Sequence, residues 1–200
     1  MRLNRPKFLS CVVIAVILSH MGIRRGVVLF TLIIIAFLMA DANCVFGPNH
    51  YYGVMSVRGN RIFIRHDRWY TVGKLPEGWH QLKTGVKAAS WYNPDYEATI
   101  STDVFCERSV DDRPLTVVAG QIVGAIEDRR VTDNGEFMLD GRGALRQTVN
   151  GTIDGVAMTM DLVVLKKNNC AFDFFTIAPP EHLADVRPVF EDFFNAFHFE

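Results

Sequence analysis

The sequence of 200 residues predicts an α+β domain preceded by an N-terminal signal or anchor segment. Two stretches, one from Pro114 and one from about Arg187, repeat apolar residues at the spacing of one helix face. The segments around them are rich in β-branched and aromatic residues, or alternate in polarity as half-buried strands do. Two helices beside a run of antiparallel strands form a layered α+β domain.

Two apolar runs, residues 8–18 and 26–40, lie in the N-terminal segment. The first run is about a dozen residues long, short of the roughly 20 that a membrane-spanning helix needs. The second follows Arg24 and Arg25 and ends in an Ala-x-Ala site at residues 40–42, a pattern typical of a secretory signal peptide. We therefore predict a signal peptide over residues 1–43, with Met21 as a candidate true start. The alternative is a membrane anchor that is not cleaved.

Cys44 stands two residues beyond the Ala-x-Ala site, where a bacterial lipoprotein carries its lipidated cysteine. Its position makes Cys44 a candidate lipidation site. Asn43 departs from the lipoprotein pattern, because the residue before such a cysteine is normally small. A short linker is predicted over residues 44–59, and the folded domain over residues 60–200.

Strands are predicted where β-branched and aromatic residues cluster, and hairpin turns where Asn or Gly interrupt them. The predicted strands are residues 61–65, 69–72, 87–92, 98–104, 135–139, 144–150, 156–166 and 170–177. Asn150 with Gly151, and residues 167–169, are the predicted hairpin turns.

The first predicted helix opens at Pro114, since the first helical turn tolerates proline. Its apolar face consists of Leu115, Val118, Ala119, Ile122, Val123 and Ile126. The mixed charges of residues 127–130 are predicted to be the solvated end of this helix. The second helix is predicted over residues 187–197, and its apolar stripe indicates a core face rather than a ligand site. That stripe consists of Val186, Val189, Phe190, Phe193, Phe194 and Phe197.

Cys106 and Cys170 are the two cysteines that follow Cys44. An exported domain lies in an oxidising space, where two such cysteines tend to pair. Cys106 ends one predicted strand and Cys170 opens another, so neighbouring strand ends would bring the two together. We predict a structural disulfide between them, with two unpaired buried thiols as the alternative.

Charge and motif content exclude several classes of function. Beyond residue 43 the chain has 16 basic and 21 acidic side chains, a net charge of −5. Its bases form no block longer than a pair, whereas duplex-binding proteins usually carry a basic stripe, so nucleic acid is not an expected partner. The sequence has no Cys-x-x-Cys pair and no histidine at metal-ligand spacing, so neither a metal nor a cofactor is predicted.

The scattered histidines (His50, His66, His80, His182 and His198) are predicted to be surface or locally hydrogen-bonded side chains. None of them lies near a second candidate metal ligand on one predicted face.

No catalytic residue is predicted. Asp111 and Asp112 precede the first helix, where favourable interaction with the helix dipole explains them better than paired-carboxylate catalysis does. Residues 140–143 (DGRG) lack the strand–loop–helix context of a phosphate-binding loop and predict a tight turn. Ser90 and Ser101 lack a Gly-x-Ser-x-Gly elbow.

Aromatic residues crowd the first half of the domain, and Trp79 and Trp91 lie there beside predicted turns. Binding surfaces use exposed aromatic residues, although core or sheet-face packing is the more usual role of such side chains. Trp79 and Trp91 are therefore the candidate binding surface, and core packing is the alternative.

The order of several short motifs resembles that of bacterial exported lipoproteins with a PsbP-like domain, over roughly residues 60–199. These motifs are residues 70–72 (YTV), 75–79 (LPEGW), 89–94 (ASWYNP), 98–100 (ATI), 114–115 (PL), 139–141 (LDG), 144–146 (ALR) and 170–174 (CAFDF). The resemblance implies a central antiparallel sheet flanked by helices. It also implies a non-enzymatic accessory protein that docks on a larger membrane assembly.

Three functional hypotheses follow. The leading one is a non-enzymatic adaptor on the periplasmic side of a bacterial membrane, attached through a lipid or an N-terminal helix and bound to a membrane-associated protein. The second is a periplasmic carrier or chaperone for a lipid or other apolar ligand, which an apolar cavity between sheet and helices would favour and a solid core would not. The third is a hydrolase, which requires a cleft that joins a nucleophile, a histidine and an acid.

Overall fold

The computed structural model describes residues 51–83, 88–106 and 113–200. These residues form eleven strands: β1 (Tyr51–Tyr52), β2 (Ser56–Arg58), β3 (Arg61–Arg65), β4 (Arg68–Thr71), β5 (His80–Leu82), β6 (Ala89–Asn93), β7 (Ala98–Cys106), β8 (Glu127–Leu139), β9 (Arg142–Ile153), β10 (Val156–Lys167) and β11 (Cys170–Ala178). They also form two α-helices, α1 (Leu115–Ile122) and α2 (Leu183–Asn195), and a 3-10 helix, Val123–Ala125, that follows α1.

The main sheet has eight strands in the order β5-β6-β7-β11-β10-β9-β8, with β1 paired to β7. Each pair of neighbouring strands is antiparallel. A smaller antiparallel sheet of three strands has the order β2-β3-β4. Its buried residues Ile62, Ile64 and Tyr70 pack in the same core cluster as Phe190 of α2.

The main sheet lies between the two helices, as the alternation along β10 shows. Leu162 and Val164 belong to the core cluster that includes Ala119 of α1. Val163 and Leu165 belong to the other cluster, which includes Phe190 of α2. Because successive strand residues point to opposite faces, each helix covers one face of the sheet. The predicted α+β class, with a central antiparallel sheet flanked by helices, is confirmed.

The first helix is shorter than its apolar face predicts. Pro114 is the residue before its first turn, and the helix ends at Ile122. The face continues through the 3-10 helix to Ile126, which is extended yet only 2 % exposed. Residues 127–130, predicted to be the end of this helix, instead begin β8, because they pair with β9 from Glu127 opposite Thr152. That prediction is wrong.

The second helix begins four residues before the predicted start. Leu183 and Val186 are buried and extend the apolar face backwards, while Pro188 lies inside the helix. The helix ends at Asn195, yet Phe197 beyond it is only 4 % exposed. The predicted core role of the aromatic stripe is confirmed: Phe190, Phe193, Phe194 and Phe197 are all buried.

Two predicted turns are present and one is displaced. The turn after β8 contains Asp140 and Gly141, and the turn after β10 contains Asn168 and Asn169, each with positive φ. The predicted turn at Asn150 and Gly151 is wrong, because both residues lie inside β9. The chain reverses at Asp154 and Gly155 (φ 51° and 78°), an Asp-Gly pair that suits the same hairpin geometry.

Gly151 is required inside β9 because β8 and the end of the 3-10 segment approach it closely. A Cβ atom there would lie 2.3 Å from Ile126 Cγ2 and 2.4 Å from the Glu127 carbonyl oxygen. We expect Gly151→Ala to lower the free energy of unfolding by about 1–3 kcal/mol, through overpacking. Gly143→Ala in the same strand is the matched control, since its Cβ would meet nothing within 4 Å. Urea denaturation of both variants tests this, and equal stability would contradict it.

Two strands, β1 and β2, lie within the predicted linker over residues 44–59. Tyr51 and Tyr52 pair with Phe105 and Cys106 of the main sheet, and β2 pairs with β3 of the smaller one. The short segment is ordered because its main-chain groups complete these two sheets. Among residues 51–83, 88–106 and 113–200, no helix is both long and apolar enough to cross a membrane. The predicted signal or anchor segment and Cys44 lie outside the described residues.

Candidate functional site

Strand β8 forms one end of the main sheet and leaves its outer edge unpaired within the part of the chain that the structure describes. It has 13 residues, of which all but Phe137 and Leu139 are exposed. Val131 and Met138 are 49 % and 69 % exposed, so the strand also presents apolar side chains. The unpaired N–H and C=O groups of such an edge accept a further strand. β8 therefore has the main-chain groups to pair with a further strand.

A groove lies between β8 and α2, on the face of the sheet that α2 covers. Its volume is about 370 Å³, and it is lined by Asp133, Gly135, Glu136, Phe137, Arg146, Glu191, Phe194 and Asn195. The rings of Phe137 and Phe194 are in contact, with centroids 5.9 Å apart, and provide an aromatic surface inside the groove. We call this feature the β8–α2 groove.

A buried ion pair lies beneath the groove. Asp161 of β10 is fully buried, and Arg146 donates to both of its oxygens, Nε to Oδ1 at 3.0 Å and Nη2 to Oδ2 at 2.6 Å. The third donor of Arg146, Nη1, contacts Glu191 Oε1 at 2.7 Å. Hydrogen bonds first to Asp161 and then to Glu191 raise the pKa of Arg146 above its usual value. Arg146 thus joins the sheet interior to the α2 wall of the groove.

Two further polar groups surround Asp161 without completing hydrogen bonds. Arg187 Nε lies 3.3 Å from Asp161 Oδ2, a distance that permits Coulomb attraction, yet it has no hydrogen-bond partner in the structure. Thr176, the β11 residue opposite Asp161, is also buried with its hydroxyl unpartnered. Arg146 is therefore the main counter-charge of Asp161.

A second cavity, of about 300 Å³, lies on the α1 side of the sheet. It is lined by Phe105, Arg113, Val118, Gln121, Ile122, Ala171 and Asp173. Burial raises the pKa of Asp173 to about 7, with a further contribution from Asp103, which lies opposite it on β7. The cavity is thus small and mixes apolar walls with a titratable acid.

The predicted disulfide is present between Cys106 and Cys170. The two residues are direct partners on β7 and β11, with Cα atoms 3.9 Å apart. Both side chains are buried. As predicted, the end of one strand and the start of its neighbour bring the two cysteines together.

The structure places Trp79 in the core, not on a binding surface. Trp79 is 9 % exposed and belongs to the α2-side core cluster. Trp91 is half-buried, with its ring 5.4 Å from that of Phe193. Trp79 is therefore too buried to form the predicted binding surface. Trp91 packs against Phe193 of α2 but is half-buried, so its predicted role stays a prediction. The exposed apolar side chains of β8 are in a different part of the fold.

His198 contacts two carboxylates, those of Asp140 and Glu200. His198 Nδ1 lies 2.9 Å from Asp140 Oδ1, and its Nε2 lies 3.3 Å from Glu200 Oε1, so both nitrogens face carboxylates. The hydrogen bond with Asp140, then that with Glu200, raises the pKa of His198. Lys167 Nζ and the Phe199 amide also donate to Asp140, at 2.7 and 3.0 Å. These contacts fasten the C-terminal residues to the β8–β9 turn.

Other predicted site residues have simpler outcomes. Asp111, Asp112 and His50 lie outside the described residues. His182 lies 4.0 Å from Asp185, a local contact within the start of α2. Within the described ranges, no group of three or more His, Cys, Asp or Glu side chains is placed to hold a metal ion.

Sequence reasoning did not find Arg146, Asp161 or the β8–α2 groove. One signal was available for the ion pair: Asp161 interrupts the otherwise apolar residues 160–165 of a predicted strand. Because a buried carboxylate needs a counter-charge, an acid in an apolar strand predicts a basic side chain on a neighbouring strand. No comparable signal existed for the groove, since its walls come from distant parts of the sequence.

No protein-family model matches the chain, and no curated protein is similar to it in sequence. Solved structures similar to it include a crystal structure of a protein from Bacteroides thetaiotaomicron, with a TM-score of 0.51 and 16 % identity. That match covers 72 % of this chain and 49 % of the other, so this chain spans about half the length of the Bacteroides protein. The likeness shows a common fold.

Two further solved structures resemble the chain at 12 % identity and a TM-score of 0.49. One is the solution structure of cyanobacterial PsbP from Synechocystis, covering 66 % of this chain and 86 % of that one. The other is the crystal structure of LpqN, involved in cell envelope biogenesis of Mycobacterium tuberculosis, covering 66 % of this chain and 84 % of that one.

Proposed function

We propose that this protein is a non-enzymatic accessory protein of a bacterial cell envelope, which binds a membrane-associated protein along β8. The observation that carries this proposal is the exposed edge strand of 13 residues with the β8–α2 groove beside it. An extended segment that adds to a sheet edge gains main-chain hydrogen bonds, and a neighbouring groove selects its side chains. Such an adaptor needs no catalytic group.

The proposed location outside the cytoplasm has independent support. The buried disulfide between Cys106 and Cys170 indicates an oxidising compartment, because disulfides are rare in reducing ones. A signal peptide or anchor over residues 1–43, and a lipid on Cys44, remain the predicted means of export and attachment. The periplasmic side of the membrane is therefore part of the proposal.

The carrier hypothesis has weaker support from the geometry. The core between the sheet and α2 is filled by aromatic rings in mutual contact, such as Phe172 with Phe197 at 4.9 Å and Phe172 with Phe199 at 4.8 Å. Two cavities among the described residues, of about 370 and 300 Å³, lie at the lower end of the range for small-molecule sites, and charged side chains line both. A large apolar cavity would be expected for a lipid carrier. The adaptor hypothesis fits the described residues better.

Gly135 allows a direct test of the proposed docking site. It lines the groove, and a Cβ atom there would meet nothing within 4 Å, so a side chain added at this position starts in open space. We expect Gly135→Trp to reduce recovery of the partner about tenfold or more, because the indole fills the groove. The measurement is affinity purification from native membranes in mild detergent, followed by quantitative mass spectrometry.

Gly143→Trp is the matched control for that experiment. Gly143 also has open space around it, and it lies on the neighbouring strand β9 opposite Met138. Gly135 lies opposite Arg146, so by alternation Gly143 faces the other side of the sheet. Partner recovery should survive Gly143→Trp. Recovery that survives Gly135→Trp as well would contradict the proposed docking site.

A further inference from the structure

We propose that the segment bound along β8 is basic, and that one of its Arg or Lys side chains enters the β8–α2 groove. This inference rests on the proposed function, since it specifies the chemistry of the partner at the same site. It follows from the charges and the aromatic surface of the groove.

The groove has carboxylates on both walls. Asp133, on β8, is exposed. Glu191, on α2, has a side chain that is 40 % exposed. By the register of β8 on β9, Asp133 lies opposite Thr148, whose hydroxyl is 3.5 Å from Asp161, so Asp133 shares the face that α2 covers. The two carboxylates therefore belong to one groove, although β8 and α2 are far apart in sequence.

Among the described residues, Arg146 is the one base that lines the groove, and its positive charge is already balanced. Two of the guanidinium nitrogens of Arg146 donate to Asp161, which is fully buried and does not line the groove. Because this pair is close and bidentate, the charge of Arg146 is balanced from below. Glu191 shares the remaining nitrogen, Nη1, and Asp133 lies on the opposite wall. The groove that a partner meets is therefore acidic.

The aromatic surface suits the stem of a long basic side chain. Phe137 is half-buried and packs against Phe194 inside the groove. Arg146 already lies over the Phe194 ring, with Cζ 5.6 Å from its centroid. Arg and Lys bury their aliphatic stems on such surfaces and keep the charge near carboxylates or in water. A strand paired with β8 would place alternate side chains over this face, within reach of the groove.

Selection from a displayed library of random peptides tests the inference. Peptides of about ten residues are long enough to extend along most of β8. The peptides are selected for binding to the folded wild-type protein. Those that the Gly135→Trp variant no longer binds are expected to be enriched in Arg or Lys. We expect the double variant Asp133→Asn with Glu191→Gln to bind these peptides about tenfold more weakly. Their affinity should also fall with added salt, since the carboxylates are partly solvated.

The matched control is the pair Asp154→Asn and Asp192→Asn. It removes one carboxylate from the β9–β10 turn and one from α2, and neither residue lies on β8 or lines the groove. Binding should be unchanged in this variant. The inference would be overturned if the selected peptides were neutral or acidic, or if the groove variant and the control variant lost the same peptide affinity. Either result would leave the proposed docking site unaffected. Failure to select any peptide that depends on Gly135 would overturn the proposed function as well.

Discussion

Replacing Arg146 by methionine is expected to lower the free energy of unfolding by about 3–5 kcal/mol. Asp161 is 0 % exposed, and Arg146 is its bidentate partner at 2.6 and 3.0 Å. Removing one partner of a buried pair leaves a charge that is neither solvated nor balanced. Arg187, 3.3 Å from Asp161, moderates the loss, which places the expected value towards the lower end. Urea denaturation followed by circular dichroism measures it.

Two further variants identify the cause of that loss. Arg146→Met combined with Asp161→Leu should recover most of the stability, because the buried carboxylate is removed together with its bidentate partner. Arg187, which also faces Asp161, has a side chain that is 41 % exposed and can be solvated. Arg142→Met, at the exposed first residue of β9, should change the free energy of unfolding by no more than about 0.5 kcal/mol. If the double variant is as unstable as Arg146→Met alone, the unpaired carboxylate of Asp161 is not the cause.

Removing the disulfide, by Cys106→Ala with Cys170→Ala, is expected to cost about 4 kcal/mol of stability. The bond closes a loop with a sequence separation of 64, and its loss returns conformational freedom to the unfolded chain. Thermal and urea denaturation of the oxidised wild type and the double variant provide the comparison.

Reduced wild-type protein is the control for the disulfide prediction. Both cysteines are buried, so alanine also removes a sulfur atom from the core. Reduction keeps both sulfur atoms and removes the covalent link alone. Oxidised and reduced wild type of equal stability would contradict the prediction. Detection of two free thiols in protein isolated from its native compartment would contradict the oxidising location.

Local patterns predicted most elements of this fold. β10 and β11 were predicted nearly to their ends, because their apolar runs stop at turn residues: Asn168 and Asn169 separate the two strands. The apolar face of α1 was also predicted, although its C-terminal part is a 3-10 helix and extended chain. Periodicity fixes which residues are buried together more securely than it fixes where a helix stops.

Competition between similar local signals explains the errors. Asn150-Gly151 and Asp154-Gly155 are both suited to a hairpin turn, and pairing of β9 with β8 and β10 decides between them. Strand β8 was predicted over residues 135–139 alone because an exposed edge strand carries little apolar alternation. Trp79 lies beside a turn in the sequence, yet the chain folds its indole into the core.

Residue spacing and turn chemistry predict the α+β class and the core role of the aromatic stripe on α2, because both act within a strand, a helix or a hairpin. The cysteine count and the predicted export predict the disulfide between Cys106 and Cys170, and the structure shows that the two strands are neighbours. The exposed edge of β8, the pairing of Arg146 with Asp161 and the shared groove of Asp133 and Glu191 are visible in the folded molecule alone. Packing between distant elements sets the burial and proximity of residues on β8, β9, β10 and α2, and no local pattern encodes it.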